Sequence, residues 1–270
     1  MLFGKKKTSQ PNTKVNKKST VLSDNSPWSI QEAYKVLRTN ILFSLPGEGH
    51  KTIAVTSAFA SDGKTTNAVN TAIAMGKLGK KVLLIDCDMR KPSIDSMLGI
   101  QPTPGLSDTL AGMKKLENVV QHERNGVLDV IAAGNIPPDP TLLLQGKEMH
   151  KLLETVGEMY DYVILDFPPV TTVTDAVLLA DMVNGYLIVV RHGKTDYRAV
   201  IDTVEQLRFA KANIIGFIYN DYSLDNKKYS YGRYGYGKYR SKGYGYGYGY
   251  KSGPDSGSVK ERGEQRDGDH

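Results

Sequence analysis

The sequence predicts an α/β fold, a doubly wound and mostly parallel sheet with helices on both faces. Three observations predict it. Short apolar runs at residues 52–56, 82–85, 162–165, 186–190 and 214–219 alternate with helix-length stretches. The run Thr52-Ile53-Ala54-Val55-Thr56 has the near-continuous apolar character of a strand buried on both faces. Two other runs end in acid, at Asp86 and Asp166, and the carboxyl ends of parallel strands are where open α/β sheets bind ligands. With 270 residues, 40% of them hydrophobic, the chain can bury one full core of this kind.

The first strand leads into Ala58-Phe59-Ala60-Ser61-Asp62-Gly63-Lys64-Thr65 and then a helical stretch at 67–77. Strand, loop and helix form the context of a phosphate-binding loop. Ala58 stands where the first glycine of that pattern is usual. Gly63 lets the backbone approach a phosphate and turn its N–H groups inward. Lys64 supplies a point charge for β- and γ-phosphates, and Thr65 a hydroxyl for Mg²⁺. The helix that starts there points its positive end at the anion.

The remaining elements follow in order. Ser29-Ile30-Gln31-Glu32 has the form of a capping box opening a helix to about Phe43. Glu32, Lys35 and Arg38 recur at spacing three and share one flank of it, a solvated charged face or a subunit contact. Gly79 reads as the cap of the helix after the phosphate loop. The run 82–85 ends in Asp86-Cys87-Asp88-Met89-Arg90, where Asp86 and Asp88 point the same way if the strand extends that far. Residues 105–112 and 116–121 read as short helices, and 128–131 as a weak strand. Asp139-Pro140 caps and opens a helix to about Glu158. The run 162–165 ends in Asp166-Phe167-Pro168-Pro169, and an acid at that place is the second Mg²⁺ site of phosphate-loop enzymes. Helices at 175–181 and 197–211 alternate with the last two strands.

Both termini differ in composition from this centre. Residues 1–25 carry six lysines and no acid before Asp24, and predict a disordered basic arm suited to anionic headgroups or an acidic partner. From 223 to 270 the chain reads as a second disordered segment. It holds Tyr229, Tyr231, Tyr234, Tyr236, Tyr239, Tyr244, Tyr246, Tyr248 and Tyr250 among glycines and basic residues, with too few aliphatics for a core. Such a tail could also stack on single-stranded nucleic acid. The folded domain is therefore expected at 26–222. The formal net charge is +6, and much of the excess is local to the arm. One cysteine, Cys87, excludes an internal disulfide and suits a reducing cytosol. No run is long enough for a membrane span, and the five scattered histidines lack metal-ligand spacing.

Residues 58–65, 82–90 and 164–169, with the tyrosine cluster, resemble the bacterial tyrosine kinases of capsule and exopolysaccharide synthesis. They are most similar to the separate cytoplasmic kinase of Gram-positive bacteria, whose membrane-spanning activator is another chain. The resemblance covers about residues 26–251. It identifies the phosphate loop as Walker A, the D-x-D-x-R stretch as Walker A′ and the D-x-x-P stretch as Walker B. It implies ATP and Mg²⁺ as cofactors, with Ser61, Asp62, Gly63, Lys64, Thr65, Thr66 and Arg90 at the nucleotide. It implies catalytic roles for Lys64, Asp86, Asp88 and Asp166, and Thr65, Asp88 and Asp166 as partners of the metal. Asp86 is the candidate proton acceptor, although Asp86 and Asp88 can exchange roles on sequence grounds. Arg90 either balances the acids or touches phosphate.

The resemblance also implies that the nine tail tyrosines are phosphorylated in trans within a homo-oligomeric ring. Glu32, Lys35 and Arg38 match the family's E-x-x-R-x-x-R subunit contact, with Lys35 in place of the first Arg and so without its bidentate fork. The implied partners are a transmembrane activator of the polysaccharide co-polymerase type, protein-tyrosine substrates and a tyrosine phosphatase, but no nucleic acid. The implied location is the cytoplasm, at the inner face of the membrane when recruited by the activator. The rival readings are a septum-site or partition-type ATPase and a nucleic-acid-binding protein. The first would carry a signature lysine early in the loop, where Ala58, Phe59 and Ala60 stand. The second does not need Asp86, Asp88 and Asp166 together.

Overall fold

A sheet of seven strands, ordered β3-β4-β2-β5-β1-β6-β7, runs through the centre of the described residues. The strands are β1 (Lys51–Ser57), β2 (Val82–Asp86), β3 (Val120–His122), β4 (Asp129–Ile131), β5 (Tyr162–Asp166), β6 (Gly185–Arg191) and β7 (Ile214–Asn220). All pair in parallel except β3, which runs antiparallel to β4. The structure is a computed structural model and describes residues 20–123 and 126–222. The basic arm up to residue 19 and the tyrosine-rich tail from 223 lie outside the described residues.

The central strands are apolar throughout because both their faces are covered. On one face α1 (Trp28–Ser44), α2 (Lys64–Gly76) and α3 (Ile94–Leu98) pack over Ile53, Val55, Leu84 and Ile164. On the other, α4 (Leu106–Leu110), α5 (Pro140–Gln145), α6 (Lys147–Met159), α7 (Asp175–Leu178) and α8 (Tyr197–Phe209) pack over Leu83, Ile85, Leu165 and Ile188. Adjacent residues of one strand thus point into opposite layers. This is the doubly wound architecture that the strand–helix alternation predicts. Among the described residues no helix is long and apolar enough to cross a membrane.

Four local expectations are corrected. The helix expected from Asp139 to about Glu158 is two helices, because Gly146 takes an extended conformation between α5 and α6. Its start is as expected, with the Asp139 carboxylate accepting from the amides of Thr141 and Leu142. The helix expected at 116–121 is a single 3₁₀ turn, Leu116–Asn118, after which the chain enters β3 and pairs with β4. Ser29 does not cap α1: the helix already begins at Trp28, with Pro27 before it and no side-chain cap. The Gln31 amide instead donates to the carbonyls of Asp24 and Ser26 and so ties down the approach segment. Finally, the domain starts before residue 26. Leu22 is buried, its amide donates to Asn70 Oδ1 at 2.7 Å, and the Asn70 amide donates to the Thr20 carbonyl. The polar composition of this stretch hides one apolar anchor and one buried asparagine on α2.

Candidate active site

The site lies at the carboxyl ends of β1, β2 and β5. Gly63 ends the phosphate loop at φ +96° and precedes α2, and a Cβ there would fall 2.0 Å from Asn220 Nδ2. The left-handed backbone favours glycine at this position, and any side chain there would also displace the Asn220 amide from the loop. The loop is framed by its neighbours. Asp62 accepts from the Phe59 amide and from the Thr195 hydroxyl, and its carbonyl accepts from Asn220 Nδ2 at 2.7 Å. The Ser61 carbonyl accepts from Arg191, whose guanidinium also holds Asp221 at 2.9 Å. Asp62 therefore shapes the loop with its own carboxylate, whereas Thr66 stands partly exposed on the first turn of α2.

Lys64 lies back across the acids. Its Nζ donates to Asp88 Oδ2 at 2.8 Å and stands 3.8 Å from Asp166 Oδ1 and 3.3 Å from the Thr65 hydroxyl. Burial alone would lower its pKa, but the charges of Asp166 and Asp88 outweigh that and raise it, so the ammonium is retained. The Asp166 side chain is fully buried, and neither oxygen has a hydrogen-bond partner among the described residues. Burial pushes its carboxyl up to about 6, against the pull of Lys64 and the nearby Thr65 hydroxyl.

Asp86 sits differently. Its Oδ1 accepts from the Asp88 amide, and its Oδ2 accepts from the amides of Ser93 and Ile94 at the start of α3. Burial pushes its carboxyl up to about 8, helped by the neighbouring Asp166 charge and opposed by those amides and Lys64. The strand ends at Asp86, so the loop backbone, and not strand alternation, presents Asp88. Asp88 Oδ1 accepts from the Lys91 amide. Cys87 between them is a buried free thiol, its pKa raised by burial.

Arg90 is engaged by residues outside the phosphate loop. It donates to the Thr141 hydroxyl at 2.8 Å, and its Nε lies 3.4 Å from Asp175 Oδ2. Of its two open readings, the structure bears on the one in which it balances an acid, but that acid is Asp175. On α1, Lys35 pairs with Glu32 at 2.5 Å, while Arg38 donates to the Ala74 carbonyl of α2. The sequence reading missed Ser93, Thr141, Asp175, Arg191, Thr195 and Asn220. All but Ser93, whose amide reaches Asp86 seven residues away, act across a long sequence separation, and only the acid and asparagine at element ends offer a signal.

The donor set fits a small hard cation. Thr65, Asp88 and Asp166 converge on Lys64, and Asp166 has two buried oxygens in need of positive charge. The described residues contain no group of three acidic, histidine or cysteine ligands. An ion here would complete its shell with phosphate oxygens and water, as Mg²⁺ does.

An AAA domain family matches residues 50–214. The tyrosine-protein kinase YwqD of Bacillus subtilis is 37% identical over 216 residues, 80% of this chain and 91% of that protein. The chain belongs to the bacterial tyrosine-protein kinases. Putative tyrosine-protein kinase EpsB of Ralstonia solanacearum is also 37% identical, but this chain spans only 28% of its length. The solved kinase domain of Escherichia coli tyrosine kinase ETK superposes with a TM-score of 0.69 at 32% identity, covering 78% of this kinase and 86% of that chain. The septum site-determining protein MinD of Pyrococcus horikoshii, complexed with Mg-ADP, shares the fold at 23% identity and a TM-score of 0.56.

Proposed function

We propose that this tyrosine-protein kinase transfers the γ-phosphoryl of ATP, with Mg²⁺, to tyrosine hydroxyls. Its own nine tail tyrosines, 229 to 250, are the first acceptors, and the modification governs capsule or exopolysaccharide polymerisation and export. The observation that carries the reading is Lys64 held between Asp88 and the buried carboxylate of Asp166, which has no hydrogen bond among the described residues, beside a glycine-ended loop.

Phosphoryl transfer needs positioning and charge neutralisation more than covalent help. Lys64 exchanges Asp88 for the β- and γ-phosphates when nucleotide enters. The loop amides and the start of α2 receive the phosphate oxygens. Thr65, Asp88 and Asp166 would hold the Mg²⁺, which would supply charge neutralisation at the phosphate oxygens. Asp86, with both oxygens engaged by backbone amides, supports the loop that carries Asp88. Release from Lys64 frees Asp88 Oδ2 to serve the metal or to accept the tyrosyl proton, so the proton-acceptor role assigned to Asp86 by resemblance shifts toward Asp88.

The further roles rest on the family resemblance. A ring built through Glu32, Lys35 and Arg38 presents each tail to a neighbour's site. A separate transmembrane activator recruits the kinase to the inner face of the membrane, and a tyrosine phosphatase resets it. Each phosphate adds about −1.5 to −2 charges, so a handful reverses the sign of the basic tail and drives the ring apart. Labelled ATP with Mg²⁺, followed by mapping, tests the reading. Chain carrying Lys64→Met with an intact tail is mixed with active chain truncated after Asn220. Label on tyrosines 229 to 250 of the intact tail is expected, and its absence would show that transfer is not in trans. A fully phosphorylated protein that still elutes as the same large species would refute the charge-driven dissociation.

A further inference from the structure

We propose that Asp175, with Thr141, is a positioning pair that anchors Arg90 and thereby holds Asp88 at the metal edge of the site. The proposal rests on the reading of Asp88 and Asp166 as partners of Mg²⁺.

Three side chains close a ring. The Thr141 hydroxyl donates to Asp175 Oδ1 at 2.9 Å and accepts from Arg90 at 2.8 Å, while Arg90 Nε stands 3.4 Å from Asp175 Oδ2. Each member comes from a different element: Thr141 from α5, Asp175 from the start of α7, and Arg90 from the loop after β2. Asp175 is 1% exposed, and its Oδ2 has no hydrogen bond among the described residues, so the Arg90 charge is its compensation. A buried carboxylate holds its counter-ion firmly because separating them leaves an uncompensated charge. The planar guanidinium presents separate donors in fixed directions, Nη2 to the hydroxyl and Nε toward the carboxylate.

The ring lies where two metal-edge segments can be tied together. The segment from β5 to α7 begins at Asp166 and ends at Asp175, and the loop after β2 begins at Asp86 and contains both Asp88 and Arg90. Arg90 is followed by Lys91, whose amide donates to Asp88 Oδ1. Fixing Arg90 therefore fixes the backbone that presents Asp88. The Arg90–Asp175 pair links the two segments directly, and Thr141 locks both to α5.

The test is binding of a fluorescent ATP analogue to the full chain as Mg²⁺ is titrated, with thermal melting in parallel. Asp175→Asn should raise the Mg²⁺ concentration for half-maximal binding about tenfold, the scale for residues that orient a metal ligand. Thr141→Val should shift it in the same direction by less. Binding in EDTA should stay at the wild-type level for both. The double variant Asp175→Asn with Arg90→Lys should shift no further than the larger single one, because both break the same tie. Variants that melt lower but keep the wild-type Mg²⁺ requirement would show a structural role only and overturn the proposal. If Asp175→Asn fails to fold, the Thr141→Val titration decides alone. A wild-type curve indifferent to Mg²⁺ would instead refute the metal-site reading beneath the proposal, and the proposal with it.

Discussion

Asp86 and Asp166 stand opposite each other in register at the ends of β2 and β5, and both are buried. Asp86 accepts three backbone N–H groups, whereas no backbone N–H among the described residues reaches the Asp166 carboxylate, which has the Lys64 ammonium at 3.8 Å and the Thr65 hydroxyl nearby. The same residue type at the same strand position thus does two jobs. Where the chain turns back into α3, its amides saturate the carboxylate, and the side chain organises a loop. Where the chain leaves through Phe167-Pro168-Pro169, two prolines supply no amides, and the carboxylate stays available to a cation. The donors around an acid, rather than its place on a strand, thus separate a structural from a chemical role.

The largest expected effect tests the cation side. Lys64→Met should reduce tyrosine phosphorylation by at least about 10²-fold, the scale of losing one preorganised group at a developing charge. Circular dichroism should stay native. Wild-type rates in a folded variant would remove Lys64, and with it the cation side of the comparison, from the mechanism.

Next, Asp86→Asn and Asp166→Asn should separate stability from chemistry. An amide cannot replace all the acceptor capacity that Asp86 uses, so its variant should lose about 1–3 kcal/mol. For a domain of this size that lowers the melting point by about 2–4 °C per kcal/mol. Asp166→Asn should melt near wild type in EDTA yet lose Mg²⁺-dependent transfer. The reverse order of melting points would break the comparison.

A smaller effect concerns pH. Both carboxyls have folded pKa values raised above their unfolded values, to about 8 and about 6. The stability they contribute is fully present below the unfolded carboxylate pKa of about 4 and is lost as pH rises through the folded values. In EDTA the melting point should therefore fall between pH 5 and pH 8 because of this pair, and Asp86→Asn should flatten that fall. A wild-type profile that rises across the interval, with no change in the variant, would contradict the assignment.

The smallest effect lies at the loop's outer frame. Arg191→Gln removes the bridge from the Ser61 carbonyl to Asp221. It should raise KM for ATP a few-fold, about the worth of one hydrogen bond, with kcat near wild type. Steady-state kinetics with a synthetic tyrosine peptide check it, and a loss confined to kcat would place Arg191 in the chemistry instead.

The local pattern of the chain was enough for six of the seven strands, most helices and the three motif segments that carry Lys64, Asp88 and Asp166. Apolar runs, a Gly-Lys-Thr turn and acids at strand ends are short-range signals, and backbone sterics and burial act on them within a few residues. Its motifs also carried the family, with Lys64, Thr65, Asp88 and Asp166 named before any geometry. Tertiary structure decided what composition could not. It split the helix at Gly146, turned residues 120–122 into an edge strand on β4, and drew Leu22 into the core. It also turned Arg90 toward Asp175 and distinguished Asp86 from Asp166. These outcomes depend on which distant backbone amides, hydroxyls and charges share a low-dielectric interior, and that is set when the sheet closes and the loops are packed against one another.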